Sequence, residues 1–131
     1  MAVSRVVKYL LGTTMSSGVT IANNASATSA SELDFFGNDT SEGHGRLYLV
    51  YTATATAGAL NVELFRAPVS GSEATAQAIP IAQIPVSSGT SAPIDLGPID
   101  LARYGKGYVL NNGVGSSVTN VVLVCDTYVE S

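Results

Sequence analysis

The sequence predicts an all-β chain folded as a sandwich or barrel, on three observations. Apolar residues recur at every second position in several runs, as they do where one face of a strand is buried. Clusters of Gly, Pro, Asn, Asp and Ser punctuate those runs at short, regular intervals. No segment keeps the 3.6-residue spacing of an amphipathic helix over an ordinary helix length.

The clearest run is Arg46–Arg66, RLYLVYTATATAGALNVELFR, which reads as a β-hairpin. Leu47, Leu49 and Tyr51 alternate with Tyr48, Val50 and Thr52. Beyond Thr56-Ala57-Gly58, Leu60, Val62 and Leu64 alternate with Asn61, Glu63 and Phe65. Gly58 lets the backbone reverse. The second arm has a polar side and should lie half-exposed. The first arm carries large side chains on both faces, as a strand does when both are covered. The opposite sheet is expected to cover one face. A neighbouring subunit or the Ala67–Val86 excursion is expected to cover the other.

The remaining elements follow in order. Val3–Leu10 reads as a first strand or N-terminal arm, with Val3, Arg5, Val7 and Tyr9 on one side and Ser4, Val6, Lys8 and Leu10 on the other. Residues 1–31 as a whole are expected to form such an arm or the first strands. Ala25-Ser26-Ala27 imitates a leader cleavage site, but Thr13-Thr14 and Ser16-Ser17-Gly18 interrupt the apolar stretch, so a leader is not expected. Met15–Ser31 reads as a short strand at Val19 and Ile21 followed by a loop, and Leu33–Phe36 as another short strand. Gly37–Gly45 reads as a polar turn. Ala78–Val86 alternates but carries Pro80 and Pro85, which marks an edge or bulged strand. Ile94–Leu101 reads as extended with a turn at Gly97-Pro98. Arg103–Leu110 precedes a hairpin loop at Asn111–Ser117, and Val118–Val129 is a final strand expected in the middle of a sheet.

Composition bounds the function. At 131 residues the chain is expected to be a single domain with its own core. Charged residues are only 12%, about half the usual share, replaced by Ser, Thr, Ala, Gly and Asn. Such a neutral surface suits packing against other subunits, because interface cores are depleted in charge. The net charge of -4 and the scattered cations give no footprint for nucleic acid. No apolar run reaches the roughly 20 residues a membrane helix needs. The single cysteine, Cys125, excludes an internal disulfide and reads as a buried small hydrophobe.

Catalytic and metal chemistry finds little support. His44, the one histidine, lies between Gly43 and Gly45 near Asp39 and Glu42, with no further ligands or nucleophile at a useful spacing. It reads as a solvated loop residue. Asn38-Asp39-Thr40 and Glu42 lack the alternating order of a calcium loop. Neither Gly105-Lys106-Gly107 nor Gly113-Val114-Gly115 has phosphate-loop spacing, and no Gly-x-Ser-x-Gly elbow is present. Asp95 and Asp100 lack the aromatic platform of a glycosidase. No enzyme and no cofactor is expected. What remains are surfaces, for which the tyrosines supply area with a polar tip. The interface candidates are Arg5, Lys8, Tyr9, Tyr48, Arg103 and Tyr104.

A resemblance then emerges over about Leu33 to Tyr128. A polar acidic loop leads into Leu-Tyr-Leu-Val-Tyr, then Leu-Asn-Val-Glu-Leu, a long loop, an Ile-Pro segment, Ile-Asp-Leu-Gly, Arg-Tyr and a Val-rich last strand. This order resembles the small capsid cement, or decoration, proteins of tailed bacteriophages. The resemblance implies a jelly-roll β-sandwich that binds the major capsid protein on the outer surface of the capsid, as trimers in preference to dimers. It also implies a structural role for Arg103-Tyr104. The N-terminal region is longer than the family pattern. The alternatives are a carbohydrate-binding β-sandwich or a fibre or tail component.

Overall fold

The computed structural model describes residues 3–29, 33–34, 44–67, 78–100 and 104–130. Among these are eleven strands and no helix. They are β1 (Val3–Leu11), β2 (Val19–Ile21), β3 (Ser26–Thr28), β4 (Leu33–Asp34), β5 (His44–Ala53) and β6 (Ala59–Ala67). The rest are β7 (Ala78–Pro85), β8 (Gly89–Thr90), β9 (Ile94–Asp100), β10 (Tyr104–Asn112) and β11 (Val118–Glu130). All pairings are antiparallel and form two sheets, a β-sandwich.

Several short strands are halves of one interrupted path. β1 and β2 both pair with β11, β3 and β4 both pair with β10, and β8 and β9 both pair with β5. Sheet 1 therefore runs β1/β2–β11–β5–β8/β9, and sheet 2 runs β3/β4–β10–β6–β7. Successive paths cross between the sheets everywhere except β6 to β7, which are direct neighbours. Four paths per sheet in this order is the jelly roll.

The core lies between the sheets. Leu47, Leu49 and Tyr51 of β5 meet Leu60, Val62 and Leu64 of β6, with Val109, Val121, Leu123 and Cys125. Burying a side chain of this kind stabilises by roughly 1.5–3 kcal/mol. The alternation read from the sequence thus places the right residues inward, but Arg46–Arg66 is not a hairpin. β5 and β6 belong to different sheets, and residues 54–58 arch between them. Alternation specifies which face of a strand is buried and is silent on which strand pairs with it. Gly58, at φ 63°, sits so close to Asn112 and Gly113 that a Cβ there would lie 2.5 Å from their backbone atoms. The turn signal was real, and it serves a crossing arch. Asn111–Ser117 likewise joins β10 in one sheet to β11 in the other.

The Pro-bearing β7 is an edge strand with a bulge at Ile81, as its prolines predict. β11 lies between β1 and β5, in the middle of its sheet. Ser26–Thr28, read as loop, forms β3. No turn forms at Gly97-Pro98: β9 runs through both residues, with a bulge at the preceding Leu96. There the Gly97 N–H donates to Asp95 Oδ1 at 2.8 Å, so the turn chemistry is spent inside a strand. β5 begins at His44, whose backbone pairs with Asp100, so the residue is not in a loop.

Two buried polar side chains tie the ends of the sandwich together. Asn111, 0% exposed, donates through Nδ2 to the Ile21 carbonyl at 3.0 Å and to the Ser116 carbonyl at 2.9 Å. Ser29 Oγ donates to the Leu10 carbonyl at 2.6 Å and accepts from the Gly107 N–H at 2.8 Å, linking β1 to β10 across the sheets.

Candidate interaction face

The outer face of sheet 1 is where the interface candidates converge. Register places Tyr9, Val124 and Tyr48 side by side on β1, β11 and β5. The next outward row holds Val7, Asp126 and Arg46. Val50, Val122 and Val124 form a second small apolar cluster there, with Tyr9 and Tyr48 packed against it.

Part of this face is covered from within the chain. The β1–β2 excursion, residues 12–18, folds over it, and a Cβ on Gly12 would lie 3.4 Å from a Val122 methyl. Asn120 fixes that excursion. It adopts φ 47° at the β11 bulge, accepts from the Gly18 N–H at 2.8 Å and donates to the Met15 carbonyl at 3.3 Å. The cover read from the sequence was a neighbouring subunit or Ala67–Val86. In the structure Ala78–Pro85 belongs to sheet 2, residues 68–77 lie outside the described residues, and the excursion at 12–18 covers part of the face.

What the excursion leaves open is a shallow depression of about 260 Å³, walled by Val7, Tyr9, Met15, Tyr48, Pro93 and Val124, with Asp126 at its side. Val7 is 52% exposed and Met15 38%, both large apolar side chains facing solvent. A larger depression, about 480 Å³, lies between β1, the excursion and β3. No charged side chain lines it, and the Ser29 hydroxyl beside it is already engaged by Leu10 and Gly107.

At the flank of the open face Arg46 Nε donates to both Asp95 oxygens at 3.0 and 2.9 Å. This hydrogen bond raises the Arg46 pKa and, with the Gly97 N–H, holds the Asp95 carboxyl below its ordinary value. Both side chains are exposed, so the pair orients the β9 bulge more than it stabilises the fold. On the opposite side of β11, burial and the neighbouring Asp126 push the Cys125 thiol up to about 12. Cys125 is 0% exposed, the buried small hydrophobe its sequence context suggests. Among the described residues no group of three or more His, Cys, Asp or Glu side chains is placed to hold a metal.

The six candidates therefore separate. Tyr9 and Tyr48 meet on the outer face. Lys8 is half-buried in the register row of Cys125 and Leu47, which faces the core, so it points away from them. Arg5 stands in β1 opposite Tyr128, and its side chain lies outside the described residues. Tyr104 opens β10 in sheet 2, half-buried. Arg103 lies outside the described residues. Sequence reasoning missed Met15, Pro93 and Val124 as part of this face. Val124 was legible from register parity once the strands were paired, whereas Met15 arrives through the fold of the excursion.

No family model matches the chain, and no curated protein matches it. Among solved structures, a chain from the crystal structure of the T13 IBDV viral particle matches with TM-score 0.53 and 10% identity. The match covers 95% of this chain and 31% of that one, so this chain spans about a third of the structure it resembles. At this identity the likeness is one of fold alone, over nearly the whole of the present chain.

Proposed function

We propose that the protein is a structural component of a virus particle, acting as a cement protein on the outer surface of a tailed-bacteriophage head. In this reading it binds the major capsid protein and reinforces contacts between neighbouring capsid subunits. The observation that carries the reading is the jelly roll, an architecture used by viral capsid domains, and its match over 95% of the chain to part of a viral-particle chain. A fold alone admits several functions. The order of short motifs over Leu33 to Tyr128 and the 12% charged residues favour this one.

The open face of sheet 1 is the docking surface in this proposal. Val7, Tyr9, Met15, Tyr48 and Val124 would lose water on contact, and burial of apolar area supplies the driving force. A patch this small gives modest affinity for one copy, because association itself costs several kcal/mol. Repetition of the contact over a capsid lattice multiplies its effect.

The test is titration of labelled protein onto phage heads stripped of it, read by co-sedimentation and by reconstruction of the decorated particle. Saturable occupancy at symmetry-related positions is expected, with loss of binding in a Met15→Glu variant of unchanged thermal stability. Failure to bind stripped heads, or a copy number matching a tail or fibre, overturns the proposal.

A further inference from the structure

The sheet edges are not equally protected. β7 carries Pro80 and Pro85 and a bulge at Ile81. β9 carries a bulge at Leu96 followed by Pro98, and β8 beside it has only two residues. β3 and β4 have three and two residues. Prolines, bulges, short length and charged side chains are the devices that stop an edge from pairing with another chain. β1 is the least protected edge: its one bulge lies near its end, at Leu10, and along the strand it carries only the charges of Arg5 and Lys8. It is nine residues long, free of proline, and unbulged from Val3 to Tyr9. Among the described residues its outer edge pairs with no strand, and the Leu10 carbonyl near its end is taken by Ser29.

We propose that β1 is a self-association edge, at which two copies of this chain pair antiparallel about a two-fold axis at Val7. Sheet 1 would then run continuously through both copies. Directly opposed residues in an antiparallel pair share a face, and a two-fold normal to the sheet keeps both outer faces on one side. Centring on Arg5 or Lys8 would set like charges opposite each other, which is destabilising. Centring on Val7 sets Val7 against its own copy and Arg5 against Tyr9, with Lys8 opposite Val6. No cation then opposes a cation, and the most exposed large apolar side chain, 52% open in the single chain, gains a cover. The depression beside Val7 becomes one half of a symmetric apolar face. In this register β1 avoids direct like-charge opposition and is self-complementary in apolar surface, which is what selects a second copy as its occupant. A two-fold gives a dimer, the less favoured of the trimers and dimers that the family resemblance implies.

Analytical ultracentrifugation of the isolated protein from about micromolar to about millimolar concentration tests this without any particle. A mass rising from monomer to dimer is expected. Val7→Lys should raise the dimer dissociation constant at least about tenfold, since it sets two cations at the axis while leaving an exposed position of the monomer. Val7→Cys should give a covalent dimer on mild oxidation, and Arg5→Cys mixed with Tyr9→Cys should give the heterodimer. A monomer at every concentration, a trimer, or a dimer indifferent to Val7→Lys with no Val7→Cys cross-link overturns the proposal. Because stripped-head binding is a separate measurement, either proposal can fail alone.

Discussion

Replacing Asn111 by Leu is expected to cost about 2–3 kcal/mol of folding stability. The side chain is fully buried, and its Nδ2 serves the carbonyls of Ile21 and Ser116 at 3.0 and 2.9 Å. Leu has nearly the same size and no donor, so it strands both acceptors. A buried unsatisfied group costs roughly 1–3 kcal/mol. Taking about 2 for the buried Ile21 carbonyl and about 1 for the partly buried Ser116 carbonyl gives a loss of about 3 kcal/mol. The weak 3.4 Å bond from the Val114 N–H adds little, and the apolar gain of Leu offsets about 1. The assay is urea unfolding, in which the midpoint should fall by about 1–2 M with the slope unchanged. Asn111→Asp supplies the sign test. A carboxylate there would face two carbonyls and be buried, so its folded pKa would be raised and the variant should lose stability as pH rises toward neutrality. A Leu variant within about 0.5 kcal/mol of wild type would show that these bonds do not hold the β10–β11 arch.

Other outcomes follow from the same geometry. Gly58→Ala should cost at least about 2 kcal/mol, because φ 63° disfavours a Cβ and backbone atoms stand 2.5 Å from it. Gly113→Ala, at φ 71° with nothing within 4 Å, should cost only about 1 kcal/mol, and thermal melts of the two compare them directly. Cys125 should resist alkylation in the folded protein and react only on unfolding, as followed by mass spectrometry. Its raised pKa also contributes stability that is complete below the ordinary thiol value and lost between pH 9 and about 12, at up to about 1.4 kcal/mol per pH unit. For Asp95 the lowered pKa means that the Arg46 contact persists down through the ordinary carboxylate range and is lost only at lower pH. Chemical shifts of the Asp95 carboxyl should record this midpoint, and salt should raise it.

The sequence by itself determined the strand content, the inward residues and the chemistry of the edges. Alternation is a local property of a pleated strand, so Leu47, Leu49, Leu60 and Val62 could be assigned to the core without knowing their partners. Pro80 and Pro85 marked β7 as an edge because a missing N–H is felt wherever the strand lies. Pairing was decided only by tertiary structure. The same Gly58 turn signal serves a hairpin or an arch, and which one forms depends on packing two apolar faces against each other across the sandwich. The candidate face was decided there too. Tyr9 and Tyr48 lie thirty-nine positions apart and become neighbours only because β11, from the far end of the chain, inserts between β1 and β5. Met15 reaches them because Asn120 holds its loop, a long-range hydrogen bond that no local pattern encodes.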